Sequence, residues 1–90
     1  MLTKIENPEI KTVREFRNQY ADKWFRYVIV ENEEDWQYKQ ANDIFSKVLF
    51  IADTEKELLT IAHEEVLKTG FTSWGDIWGT NVNPEPGIQI

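Results

Sequence analysis

Residues 46–71, Ser46-Lys-Val-Leu-Phe-Ile-Ala-Asp-Thr-Glu-Lys-Glu-Leu-Leu-Thr-Ile-Ala-His-Glu-Glu-Val-Leu-Lys-Thr-Gly-Phe71, constrain the fold more than any other stretch. The segment Lys47-Val-Leu-Phe-Ile-Ala52 is nearly all apolar, rich in the β-branched and aromatic residues of a buried strand. A capping box follows at once in Thr54-Glu-Lys-Glu57. There the Thr hydroxyl and the Glu carboxylate can each satisfy a backbone N–H at a helix start, and Asp53 adds negative charge beside that positive helix end. Leu58, Ile61, Ala62 and Val66 then share one face, Leu59 flanks it, and Gly70 supplies a left-handed terminator. The spacing predicts a helix over 55–69. A strand running straight into a capped helix is sequence spent on folding.

The rest of the chain is read in the same terms. Thr12-Val-Arg-Glu15 is a second capping box, and Val13, Phe16 and Tyr20 form an apolar stripe behind it, so a helix is predicted over 13–22. Trp24-Phe-Arg-Tyr-Val-Ile-Val30 has strand composition. Its continuously apolar end implies a central position or cover on both faces, and the acidic run Glu31-Asn-Glu-Glu-Asp35 ends it. Residues 32–45 admit two readings. Trp36, Ala41, Ile44 and Phe45 could line a short helix, or Trp36-Gln-Tyr38 could extend a hairpin; an irregular or partly helical connection is expected. Phe71–Trp78 reads as a third strand. Residues 1–11, punctuated by Asn7-Pro8, read as an irregular lead-in. Residues 79–90, with Asn81, Asn83, Pro84, Pro86 and Gly87, read as an extended tail.

The expected fold is therefore α+β, a two-layer sandwich in α-β-β-α-β order. A small three-stranded sheet would carry two helices on one face. If the last strand neighbours 47–52 in that sheet, it runs parallel to it through a right-handed crossover.

Ninety residues make one domain, 1–90, with a small core. Four Trp, three Tyr and five Phe compensate, because large rings bury much area per residue. The absence of Cys excludes disulfides, thiolate catalysis and Cys-ligated zinc. Met1–Pro8 lacks the apolar core of a signal peptide, and no apolar run approaches the roughly 18 residues that span a bilayer. A cytoplasmic protein with no membrane segment is expected. Of the net charge of −6, residues 1–30 carry six basic against four acidic side chains, residues 31–60 three against eight, and residues 61–90 one against four. Such a balance is repelled by phosphate backbones and disfavours nucleic acid.

The familiar sources of chemistry are missing. His63-Glu64-Glu65 would begin a zinc-protease helix only with a second His at position 67, which is Leu67. No Gly-x-Ser-x-Gly accompanies that one His. The carboxylates Glu31, Glu33, Glu34 and Asp35 fail as a calcium loop, because the sixth residue, where Gly is required, is Trp36. The glycines at 70, 75, 79 and 87 do not cluster before a helix as a phosphate cradle requires. No catalytic residue, metal or cofactor is expected.

One local feature exceeds what folding needs. In Trp74-Gly-Asp-Ile-Trp-Gly79, an extended backbone puts Trp74, Asp76 and Trp78 on one face. Two indoles around a carboxylate suit a protein hot spot, a cation or a stacked sugar. Lys11, Arg14 and Arg17, three residues apart, form a basic strip that could dock an acidic partner. The chain is thus expected to be a small acidic, non-enzymatic domain for protein–protein interaction or regulation, with Trp74, Asp76, Trp78, Arg14 and Arg17 as binding residues. One alternative is a small-molecule module for a cationic or sugar ligand. Another is a component of an enzyme completed by another subunit, with His63 and Glu64 facing a cleft. The open edges of a small sheet would also let a second copy pair as a homodimer.

Overall fold

In the computed structural model, which describes residues 1–81, β1 (Thr3–Lys4) and β2 (Lys11–Thr12) lead into α1 (Val13–Gln19). Next come β3 (Trp24–Ile29), α2 (Glu33–Trp36), a 3-10 turn (Ala41–Asp43) and β4 (Phe45–Ala52). Two short helices, α3 (Glu55–Leu58) and α4 (Glu64–Leu67), precede β5 (Trp74–Trp78). The fold is α+β. Its antiparallel sheet is ordered β1-β4-β3-β5, with β2 on β4 as well. β1 pairs Thr3 with Ile51 and β2 pairs Lys11 with Ser46, so the two short strands sit at opposite ends of β4.

Both predicted capping boxes form. The Glu15 N–H donates to Thr12 Oγ1 at 3.2 Å and the Glu57 N–H to Thr54 Oγ1 at 3.3 Å, with each Glu carboxylate reaching back to its cap. Such caps contribute about 1 kcal/mol each. Gly70, at φ +80°, ends the second helical segment as its position implied.

The expected helix over 55–69 is broken. Thr60 Oγ1 donates to the Glu57 carbonyl at 2.7 Å, and the Ile61 N–H reaches only three residues back, to Leu58 O at 3.1 Å. A hydroxyl on a helix carbonyl competes with the helix ladder, and the chain tightens into turns before α4. Leu58 and Val66 remain fully buried across this break, but Ala62, expected on the same face, is exposed. The first helix likewise stops early, at Gln19 rather than 22, because Asp22 takes a left-handed φ of 66° and turns the chain into β3.

The helices do not share a face of the sheet. Phe16 of α1 packs with Phe25 and Val48, beside Tyr20, Tyr27, Ile51 and Ile77. Leu58 and Val66 pack on the other side with Val28, Leu49, Phe50 and Ala52. Alternate residues of a strand point to opposite faces, so Phe25 and Val28 define two cores. A bulge at Leu49, skipped in the register between Arg26↔Phe50 and Tyr27↔Val48, lets Leu49 and Phe50 both serve the second core. The expected two layers with three strands are thus replaced by helices on both faces of a five-stranded sheet.

Four further expectations change. β5 lies beside β3, antiparallel, and not beside β4, because the crossover through α3 and α4 passes over β3. The lead-in holds two strands, and Phe71–Ser73 falls outside β5. Gly79 is buried rather than opening a tail; the remainder of the expected tail, 82–90, lies outside the described residues. Residues 32–45 are partly helical, closed by Glu31, whose carboxylate takes Lys39 Nζ at 2.6 Å and the Phe45 N–H at 2.7 Å.

Candidate functional site

The register between β3 and β5 builds the site. It sets Trp78 opposite Trp24, Asp76 opposite Arg26 and Trp74 opposite Val28, all on the face that carries α3 and α4. Trp74, Asp76 and Trp78 therefore do share a face. Their surroundings include a partner that sequence reasoning missed. Arg26, only 3% exposed, clamps Asp76 with two bonds, Nε to Oδ1 at 2.7 Å and Nη2 to Oδ2 at 2.9 Å. A parallel two-bond fork is the strongest form of such a pair. The guanidinium carbon also lies 4.5 Å from the centre of a Trp74 ring. The cation over an indole and beside the carboxylate is thus the chain's own. The signal was an arginine inside the otherwise aromatic and β-branched run 24–30.

The two indoles have separate neighbours. Trp78 packs against Trp24 with ring centroids 5.9 Å apart, and Trp74 meets the exposed His63 at 6.0 Å. Both remain more than a third exposed. On the opposite face, the Tyr27 ring lies across Gly75, where a Cβ would stand 3.0 Å from the phenol oxygen.

Among the described residues β5 is an edge strand, and its hydrogen bonding tells which backbone groups face outward. The Ile29 N–H donates to Ser73 O at 2.9 Å, and the Gly79 N–H to Lys23 O at 2.7 Å. Antiparallel ladders alternate, so Ser73, Gly75, Ile77 and Gly79 turn their backbone groups toward β3. The N–H and C=O groups of Trp74, Asp76 and Trp78 point away from the sheet. The opposite edge is treated differently. There β4 is covered by two strands of two residues each, with Pro8 in the connection between them.

The basic strip of α1 turns back onto the chain. Arg14 binds Asp43 through Nη1, and Arg17 Nη1 donates to Asn42 Oδ1 at 3.2 Å. Both Nε atoms are buried without an acceptor among the described residues. Lys11 donates to Gln19 at 2.9 Å. Arg14 and Arg17 thus brace the 3-10 turn, far in sequence from Trp74, Asp76 and Trp78. His63 and Glu64 are exposed. Clefts of about 230 and 200 Å³ flank the β1–β2 connection, and a shallow dish of about 420 Å³ lies on α2; Trp74, Asp76, Trp78, His63 and Glu64 line none of these three.

Tyr27 ties the two faces together electrostatically. Burial pushes its phenol up from the ordinary value, the Asp76 charge adds to this, and Arg17 opposes it. A phenol held above its unfolded value leaves stability intact below about pH 10 and lost as pH rises through the folded value. Urea midpoints are expected to fall above pH 10 in the parent chain and to fall less steeply in Tyr27→Phe. Equal slopes would show that Tyr27 ionises freely.

Compared with protein-family models, with curated proteins and with solved structures, the chain finds no match. Among the described residues, no helix is long and apolar enough to cross a membrane.

Proposed function

We propose that this chain is a small non-enzymatic interaction domain that takes a partner's extended strand onto the outer edge of β5. The observation that carries the reading is the row of outward N–H and C=O groups at Trp74, Asp76 and Trp78, bracketed by two exposed indoles. Strand addition draws affinity from such backbone groups and selectivity from the flanking side chains. Tryptophan at the ends supplies the anchors that dominate protein interfaces. Edges are usually blunted by lysine, proline, bulges or unpaired inward charge. Trp74–Trp78 carries no lysine or proline, and its single charge is neutralised by Arg26. With Asp76 held in that pair, the outward backbone groups and not the carboxylate are the binding feature.

The test is selection of extended peptides from a random display library, read out by amide exchange in the labelled protein. Bound peptides are expected to protect the amides of Trp74, Asp76 and Trp78. Trp74→Ala/Trp78→Ala is expected to weaken binding at least about tenfold while circular dichroism is retained. Peptides that protect other amides, or none that bind, would count against this edge.

A further inference from the structure

We infer that the strand added at the β5 edge is β5 of a second copy, paired antiparallel about a two-fold axis through Asp76. This inference rests on the reading of β5 as the binding edge and names its occupant.

A two-fold interface must be self-complementary. The segment Trp74-Gly-Asp-Ile-Trp78 is nearly palindromic about Asp76. Its outward backbone groups fall at 74, 76 and 78, symmetric about the centre. Antiparallel pairing about Asp76 sets Trp74 opposite Trp78 of the second copy, Asp76 opposite Asp76, and Trp78 opposite Trp74. All three are hydrogen-bonded pairs, with two N–H···O=C bonds in each. Both indole pairs fall on one face, where cross-strand aromatics stabilise each other. On the other face Gly75 meets Ile77, small against large. Because Gly75 has no side chain, the Tyr27 ring already reaches across it toward the edge, where Ile77 of the second copy would meet it.

The central pair is the obstacle to resolve. Like charges directly opposite destabilise a sheet. Here each carboxylate is already forked by its own Arg26, so the row across the junction reads Arg26, Asp76, Asp76, Arg26 and sums to zero. The two sheet edges differ in the same sense: the β4 edge is closed by short strands, while among the described residues no strand lies outside β5.

Charge gives the experiment its direction. Each copy carries a net −6, so self-pairing works against repulsion and tightens as salt is added. Capture of a basic partner would weaken instead.

Sedimentation of the whole chain from about 1 to about 500 μM is expected to show a monomer passing to a dimer and stopping there. The amides of Trp74, Asp76 and Trp78 are expected to be protected only in the dimer. N-methylation of the Asp76 amide, introduced by chemical ligation, leaves every side chain in place and removes one outward donor per copy. It is expected to weaken the dimer about 30-fold or more. A dimer indifferent to that methyl group, or one appearing only after removal of residues 82–90, would overturn the pairing. A chain monomeric throughout, whose edge amides are still protected by library peptides, would overturn self-pairing and leave the interaction edge standing. Absence of both would remove the edge reading as well.

Discussion

Arg26→Met is expected to lower the unfolding free energy by about 3–5 kcal/mol, because it strands a carboxylate that the fold has taken out of water. The Asp76 side chain is 10% exposed and its described charge partner is Arg26. Methionine keeps most of the packing under Trp74 but donates nothing to either carboxylate oxygen. Against a total of about 5–15 kcal/mol for a domain, a loss of this size brings the chain close to unfolding at room temperature. The double variant Arg26→Met/Asp76→Leu should recover most of it, since apolar replacement of a whole buried pair is often neutral or stabilising. Urea melts followed by tryptophan emission give all four corners of the cycle. If the single variant costs under about 1 kcal/mol, the pair behaves as an exposed ion pair and water reaches Asp76.

This pair also marks the limit of what sequence alone could show. Arg26 and Asp76 lie 50 residues apart, and their meeting depends on β5 docking beside β3 and not beside β4. Neither motif nor periodicity encodes that choice. Local chemistry was legible: both Thr-x-x-Glu boxes, the strand 47–52 and the Gly70 terminator need only their own neighbours. The shared face of Trp74, Asp76 and Trp78 followed from strand alternation in the same way.

What failed was mostly long-range. β1 and β2, at two residues each, are too short to show a period, and they exist only because β4 offers an edge. Apolar residues at both parities in 24–30 did imply cover on both faces, and two helices on one face was inconsistent with that signal. The packing of Phe25 under α1 and Val28 under α3 and α4 resolves it. At the break over 59–63 the Thr60 hydroxyl binds the Glu57 carbonyl, a local contact that the apolar spacing alone does not report. The Arg14–Asp43 pair joins α1 to a turn beyond β3, a contact that helix spacing alone does not report.

Gly79→Ala is expected to cost about 3 kcal/mol, the upper end of what overpacking does, because the added carbon has nowhere to go. An ideal Cβ there would stand 2.0 Å from the Tyr20 carbonyl oxygen and 2.7 Å from its carbon. Both are backbone atoms in the turn that ends α1. That turn is held on two sides, since Asp22 N–H donates to Gly79 O at 3.0 Å and Gly79 N–H to Lys23 O at 2.7 Å. Relief therefore means unpairing the end of β5 from the start of β3. The other glycines give graded controls. Gly75→Ala meets only the Tyr27 ring, which can swing, and should cost about 1 kcal/mol. Gly70→Ala meets nothing within 4 Å and bears only the strain of a left-handed φ, about 1 kcal/mol. Thermal melts of the three variants should rank Gly79→Ala far below the others, with the Ile77 and Gly79 amides exchanging faster than in the parent. The same variant should loosen any strand added at the β5 edge, because Trp78 then loses the anchor that fixes its outward groups. Equal melting temperatures across the three would mean that the end of β5 is not pinned to the turn after α1.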